Sequence, residues 1–144
     1  MKIKRSNNED GWTFIETVIA IAIVLILSST VGYRVIQNIP KSRIAAAKSQ
    51  IDSFMAALES YYIDCGSYPN EDQGLNALWE KSDSSSGSWA GPYLLKKPPL
   101  DPWKNPYVYR VPGEYGFPYG IISYGEDGKA GGEGNAADIT SWED

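Results

Sequence analysis

The longest uncharged stretch of the chain runs from Thr17 to Tyr33 and is rich in apolar residues. Extended back to Trp12 as a helix, it holds 22 residues and spans about 33 Å at a rise of about 1.5 Å per residue. Since the hydrocarbon core of a bilayer is about 30 Å thick, the sequence predicts a membrane-spanning helix over residues 12–37. Glu16 does not fit a plain anchor, because a charge at depth costs roughly 2.5–3.5 kcal/mol. Glu16 therefore needs a partner that compensates its negative charge.

Two other interpretations of this stretch stay open on pattern alone. The basic residues Lys2, Lys4 and Arg5 before an apolar run are also typical of a secretory signal peptide, although its apolar region has about 7–15 residues and ends in an A-x-A-like site. Residues 28–33 contain no such site. A single-pass anchor explains the length but not Glu16. If the helix stays in the membrane, the basic residues before it favour a cytoplasmic N-terminus.

The residues around Glu16 resemble the prepilin signature that type IV pilins share with type II secretion pseudopilins, namely Gly11-Trp12-Thr13-Phe14-Ile15-Glu16 behind a basic leader. The resemblance implies that residues 1–11 are a leader and that prepilin peptidase cuts after Gly11 and methylates the new N-terminus. It also makes Glu16 an assembly residue. The new amine of Trp12 would lie one helical turn from Glu16 and could supply its partner. A Trp at the first mature position departs from the usual Phe or Met.

The rest of the chain predicts an α+β fold. Pro40 favours a bend in the helix rather than its end. Apolar residues then recur at helical spacing from Ile44 to Tyr62, and Gly66 and Pro69 are stop signals. The sequence further predicts a short helix and two antiparallel strands, over residues 73–81, 107–111 and 119–124.

We therefore expect a long N-terminal helix, first membrane-spanning and then amphipathic, packed on a small antiparallel β-sheet with a C-terminal metal-binding loop. The predicted division is a leader at 1–11, a transmembrane and polymerisation helix at 12–37, and a periplasmic domain at 38–144. The resemblance to prepilins implies that the protein crosses the bacterial inner membrane once, with its N-terminus in the cytoplasm.

Composition excludes several classes of function. The formal net charge is −5, and no basic cluster follows the leader, so a nucleic-acid partner is disfavoured. The chain has no histidine and a single cysteine, Cys65, which removes most zinc sites, histidine-dependent triads and an internal disulfide. We therefore predict that it is not an enzyme. The aromatic residues Trp103, Tyr107 and Tyr109 are expected in the core rather than in a sugar-stacking platform.

A glycine-rich acidic stretch, residues 123–139, is the candidate metal site. Its glycines let backbone carbonyls turn inward, while Asp127, Glu133 and Asp138 can supply charge. Oxygen ligands of this kind suit a hard cation such as Ca²⁺. The spacing is not that of an EF-hand, since Lys129 and Gly131 stand where acidic or amide residues belong. On chemistry alone, a solvated acidic loop remains an equal alternative.

Motifs along most of the chain resemble the major pseudopilin of type II secretion systems: Trp89-Ala-Gly-Pro-Tyr, Asp101-Pro-Trp-Lys-Asn-Pro-Tyr, Gly125-Glu-Asp-Gly, Gly131-Gly-Glu-Gly and Ala137-Asp-Ile. The resemblance implies one bound Ca²⁺, with carboxylate ligands Asp127 and Asp138. It places main-chain carbonyl ligands near Tyr124 and Lys129, and Glu133 is a further candidate.

The resemblance also implies a function. The protein would be the structural major subunit of a periplasmic pseudopilus, a helical homo-oligomer that drives protein export across the outer membrane. Its partners would be minor pseudopilins, an inner-membrane assembly platform and prepilin peptidase. Two alternatives remain: a type IV pilin, in which a C-terminal disulfide is common, and a membrane-tethered, calcium-dependent binding module for carbohydrate or peptide.

Overall fold

The computed structural model describes residues 13–82 and 88–143, without the side chains of residues 29–39. The predicted leader, Trp12 and most of the Ser-rich stretch lie outside the described residues. The described residues fall into two compact units, a first unit up to Ile39 and a second unit from Pro40 onward.

One long α-helix, α1, runs from Phe14 to Cys65 and includes Pro40. The prediction that the helix continues past Pro40 is confirmed. Its end is also as predicted, because Gly66 takes a left-handed φ of 73° and its amide donates to the Tyr62 carbonyl at 2.8 Å. Glycine pays no Cβ penalty in that conformation and so ends helices readily.

In the first unit, α1 exposes its large apolar side chains. Phe14 is 86% exposed and Leu25 is 64% exposed. Among the described residues, no helix combines the length and apolarity needed to cross a membrane. Part of the predicted span, Trp12 and the side chains of residues 29–37, lies outside the described residues.

The core of the second unit forms on one face of α1. The buried residues of this face recur at three- and four-residue intervals, as the sequence predicts: Ala47, Ile51, Phe54, Leu58 and Tyr61. They pack against buried residues of the following segments: Leu75, Ala77, Leu78, Tyr109, Tyr119, Ile121 and Ile139. This apolar face of α1 is therefore part of the core of the second unit.

A three-stranded antiparallel sheet covers this face, with strands β1 (Val108–Arg110), β2 (Gly120–Ser123) and β3 (Ile139–Thr140) in the order β1-β2-β3. Tyr109 pairs with Ile121, and Ser123 pairs with Ile139. The first two strands match the predicted positions but are shorter. The two-residue β3 is absent from the prediction, because so short a strand has no visible alternation.

The predicted helix at residues 73–81 needs correction, because the structure has a 3₁₀-helix from Gly74 to Leu78. Leu75 and Leu78 are buried, whereas Trp79 is half-buried at the end of the element. Gly74 has a positive φ of 54°, a conformation that interrupts an ordinary α-helix.

Tyrosines fill much of the interface between α1 and the sheet. The Tyr109 hydroxyl donates to the Pro69 carbonyl at 2.9 Å, and the Tyr68 hydroxyl donates to Glu59 Oε1 at 3.0 Å. The rings of Phe54 and Tyr107 meet edge to face with centroids 5.2 Å apart. Tyr107 and Trp103 are half-buried against the core, which agrees with their predicted packing role.

This arrangement predicts that the fold weakens in alkali. Burial raises the pKa of Tyr107 to about 12, with the charge of Asp101 as a second cause. Burial also raises the pKa of Tyr68 to about 12, with its hydrogen bond to Glu59 adding to the effect. An unfolded tyrosine titrates near pH 10. Between about pH 10 and about pH 12 the unfolded chain loses protons that the folded chain keeps, so the free energy of unfolding falls as pH rises.

Urea unfolding at about pH 8 and about pH 11 measures this fall. Tyr107→Phe removes one of the titrating hydroxyls and should show a smaller fall, with the exposed Tyr115→Phe as matched control. A Tyr107→Phe variant that weakens as much as the unmodified chain would contradict the assignment.

Candidate functional site

Glu16 lies in the first turn of α1 and bonds to Thr13. Its Oε2 accepts hydrogen bonds from the Thr13 amide at 2.7 Å and from the Thr13 hydroxyl at 2.8 Å. In return, the Glu16 amide donates to Thr13 Oγ1 at 3.3 Å. This reciprocal pairing is a capping box, which satisfies amides that the first turn leaves free. Within one chain, Glu16 therefore stabilises the start of the helix.

A groove of about 250 Å³ lies on the same face of α1 and is lined by Glu16, Ile19, Ala20 and Ile23. The four residues share one face because they are three or four positions apart. The groove is mainly apolar and has one carboxylate at its edge, so it suits an apolar segment that carries a positive charge.

The candidate metal loop connects β2 to β3 and spans residues 124–138. Its two halves are joined where the Glu126 amide donates to the Asn135 carbonyl at 2.9 Å. Gly125 has a φ of 62°, and a Cβ there would lie 2.8 Å from the carbonyl oxygens of Asn135 and Ala137. This close approach requires glycine. The loop therefore folds back tightly at its base.

The predicted ligands lie along this loop, but the structure does not bring all of them together at one point. Asp127 is exposed, and its Oδ1 accepts from the Lys129 amide at 3.1 Å. Asp138 reaches across the loop, where its Oδ2 accepts from the Gly131 amide at 3.0 Å. Tyr124 follows β2 directly, and Glu133 is exposed. Within residues 13–82 and 88–143, no three His, Cys, Asp or Glu side chains stand close enough to hold a metal ion.

Asp138 carries the strongest sign of a missing partner. Its Oδ1 is buried and has no hydrogen-bond partner in the described structure. A buried carboxylate oxygen without a donor is unfavourable, and a cation would relieve it. The carboxylates and backbone carbonyls nearby in sequence cannot donate a hydrogen bond to Oδ1, but they are the oxygen ligands that Ca²⁺ takes. The unpartnered oxygen of Asp138 therefore fits a hard cation such as Ca²⁺ at this position of the loop.

A buried hydrogen-bond network centred on Asp101 supports the base of the loop. Asp101 is 4% exposed, and its Oδ1 accepts from the amides of Trp103 and Asn105 at 3.0 and 2.8 Å. Its Oδ2 accepts from the Ser123 hydroxyl at 2.7 Å. The Asn105 side chain then donates through Nδ2 to the Gly125 carbonyl at 2.9 Å. The network links the 101–105 turn to the end of β2 and the start of the loop.

Sequence reasoning missed two groups of residues in these sites. Thr13 could have been found, because Thr13 and Glu16 have the spacing of a capping box. Asp101 and Asn105 belong to one sequence motif, but nothing in the sequence links them to Ser123, which lies 22 positions after Asp101.

Known proteins are similar to this chain in sequence and in fold. A family model described as "Type II secretion system (T2SS), protein G" matches residues 34–142. The chain is 39% identical over 137 residues to the type II secretion system core protein G of Pseudomonas aeruginosa, covering 94% of this chain and 96% of that protein. The chain belongs to this family. It is also 34% identical to the core protein G of Vibrio cholerae, with 97% and 96% of the two chains covered.

A solved structure agrees with this assignment to the protein G family. The crystal structure of the major pseudopilin from the type 2 secretion system of enterohaemorrhagic Escherichia coli matches with a TM-score of 0.62 and 28% sequence identity. The match covers 74% of this chain and 92% of that one. The predicted pseudopilin resemblance and the α+β fold are confirmed. The family is a structural component of the secretion system, so the prediction of a non-enzymatic subunit is confirmed as well.

Proposed function

We propose that this protein G family member polymerises through its N-terminal helix into the helical filament of a type II secretion pseudopilus, which drives protein export across the outer membrane. The observation that carries the proposal is the exposure of apolar side chains along the first unit of α1. Phe14, Ile15, Val24, Leu25, Ile26 and Leu27 are each at least 60% exposed. An apolar surface of this kind needs a partner. Neighbouring copies of the same helix would cover it in a filament.

Before assembly, the inner membrane would cover the same residues. The predominantly apolar stretch at residues 12–37 supports a single span, and Lys2, Lys4 and Arg5 support a cytoplasmic N-terminus. The second unit would then lie in the periplasm. In this arrangement the chain would meet prepilin peptidase, the inner-membrane assembly platform and minor pseudopilins.

Glu16 would direct assembly by pairing with the new N-terminal amine of Trp12 on a neighbouring subunit. The groove lined by Glu16, Ile19, Ala20 and Ile23 supports this proposal, since it combines an apolar surface with one carboxylate. A charge in an apolar setting is costly unless an opposite charge pairs with it. Pairing between subunits would therefore favour the filament over the free subunit in the membrane.

Calcium would stabilise the loop at residues 124–138. Asp127 and Asp138 would hold the ion with the carbonyls near Tyr124 and Lys129, and Glu133 is a further candidate ligand. The unpartnered Oδ1 of Asp138 supports this assignment. The ion would supply charge neutralisation and cross-linking of the loop, and no reaction chemistry. A chain without histidine and with a single cysteine has few other ways to fix a glycine-rich loop.

Processing gives a first prediction for this function. Replacing the small Gly11 by a bulky residue, as in Gly11→Leu, should leave an uncleaved precursor, because the peptidase would cut at the Gly11–Trp12 bond. Mass spectrometry of the unmodified protein from membranes should find Trp12 as the first residue, with a methylated amine. A conservative Ile3→Leu change within the leader is the matched control. A mature protein that starts after Ser28 would contradict the proposal and indicate an ordinary signal peptide.

Deletion of the gene from its own bacterium tests the function as a whole. Type II substrates should accumulate in the periplasm and disappear from the medium, and the unmodified gene should restore export whereas Gly11→Leu should not. Normal export together with loss of surface pili would overturn the proposal in favour of a type IV pilin. Normal export with loss of carbohydrate binding would favour the tethered binding module.

A further inference from the structure

We propose that Asn105 is a positioning residue for the calcium loop, which it holds in the conformation that binds the ion. The inference rests on the proposed calcium site. Asn105 is not a proposed ligand, and it lies outside the loop. Its side chain nevertheless bonds to the loop at Gly125 and lies close to the side of Gly128 where a Cβ would be.

The first contact fixes a peptide group at the base of the loop. Asn105 Nδ2 donates to the Gly125 carbonyl at 2.9 Å, and the amide of the same peptide group, on Glu126, donates to the Asn135 carbonyl at 2.9 Å. Because a peptide group is planar, these two bonds hold its plane from opposite ends. This peptide group leads directly into the turn that carries Asp127. Its bond to Asn135 joins it to the segment that leads to Asp138. The bonds therefore set the relation between the two carboxylates.

The second contact supports the turn at Gly128. A Cβ placed on Gly128 would lie 3.1 Å from Asn105 Oδ1 and 3.2 Å from its Nδ2. The flat amide of Asn105 thus lies directly under this turn, where Gly128 has a φ of 65°. A rigid support under a turn that contains glycine limits the conformations that the turn can take.

Asn105 is itself held firmly. Its amide donates to Asp101 Oδ1 at 2.8 Å, and its carbonyl accepts from the Asp101 amide at 2.8 Å. Asp101 is buried and also bonded to Ser123 at the end of β2. The support under the loop is therefore anchored to the end of β2 through Asp101 and Ser123.

Calcium titration of the full-length chain in detergent tests the proposal. Asn105→Ala removes the Nδ2 donor and should weaken the calcium Kd about 10- to 100-fold, as expected when a group that orients metal ligands is lost. The melting temperature in chelator should fall only slightly, because the variant removes one part-buried hydrogen bond and leaves the apolar core intact. Asn76→Ala, at an exposed amide in the 3₁₀-helix, is the matched control and should bind like the unmodified chain.

A second variant separates positioning from charge. Asn105→Asp replaces the donor by a carboxylate oxygen that repels the Gly125 carbonyl, yet it adds a negative charge that by attraction alone would tighten calcium binding. Weaker binding by Asn105→Asp is the expected result. Unchanged or tighter binding by either variant, or a lower melting temperature in chelator with an unchanged Kd, would overturn the role of Asn105 and leave the calcium site standing. Absence of calcium binding by the unmodified chain would instead overturn the calcium site and this inference with it.

Discussion

Replacing Glu16 by alanine should abolish filament assembly while leaving membrane insertion and cleavage intact. The variant loses the carboxylate that would neutralise the Trp12 amine of a neighbouring subunit, and an unpaired charge in an apolar interface costs several kcal/mol. Insertion should continue, because removing a charge from an apolar helix favours the membrane. Cross-linking of membranes and electron microscopy of sheared filaments test assembly. We expect mature Glu16→Ala protein in the membrane and no filaments.

The capping box between Thr13 and Glu16 complicates that variant, since alanine also removes the cap. Glu16→Gln separates the two roles: glutamine can still accept from the Thr13 amide, but it cannot neutralise an amine. We expect Glu16→Gln to block assembly as fully as Glu16→Ala. Thr13→Val removes the hydroxyl of the cap and keeps the charge, so this variant should still assemble. Normal filaments from Glu16→Gln would contradict charge pairing.

The helix and its core were predictable from the sequence because their signals are local. The spacing of Ile51, Phe54 and Leu58 gives the buried face of α1, and Gly66 gives its end. The short elements were less predictable. Residues 74–78 form a 3₁₀-helix where the pattern predicted a longer helix, since a single turn is decided by packing and by the positive φ of Gly74.

In the candidate sites too, some features could be predicted from the sequence and others could not. Asp127 and Asp138 stand out from composition, because carboxylates among glycines are conspicuous in any sequence. What each carboxylate contacts depends on long-range folding: Asp138 reaches back to Gly131, and its other oxygen is left unpartnered. The support from Asn105 depends on a contact across 20 positions. Such pairings leave no periodic signal, because the tertiary fold alone brings the partners together.

Calcium should raise the melting temperature of the second unit by about 10–20 °C. Binding to the folded state alone stabilises it by about 2.7 kcal/mol at a hundredfold excess over Kd, and about 4–8 °C accompany each kcal/mol in a domain of this size. The structural reason is the loop itself. Without the ion, Asp138 keeps a buried, unpartnered oxygen, and Asp127 and Asp138 lack the neutralising positive charge that the ion would supply. With the ion, both carboxylates are neutralised and the glycine-rich loop is cross-linked.

Melting the full-length chain in detergent with calcium and with chelator measures the shift. Asp138→Asn is the sharpest variant, because its side-chain oxygen can still accept from the Gly131 amide while its charge is lost, so the calcium shift should largely vanish. Asp127→Ala should reduce the shift too. Asp52→Ala, at an exposed position on α1, should keep the full shift. Equal midpoints with calcium and with chelator in the unmodified chain would make the loop a solvated acidic surface, since the unpartnered oxygen of Asp138 would then have to be satisfied by water.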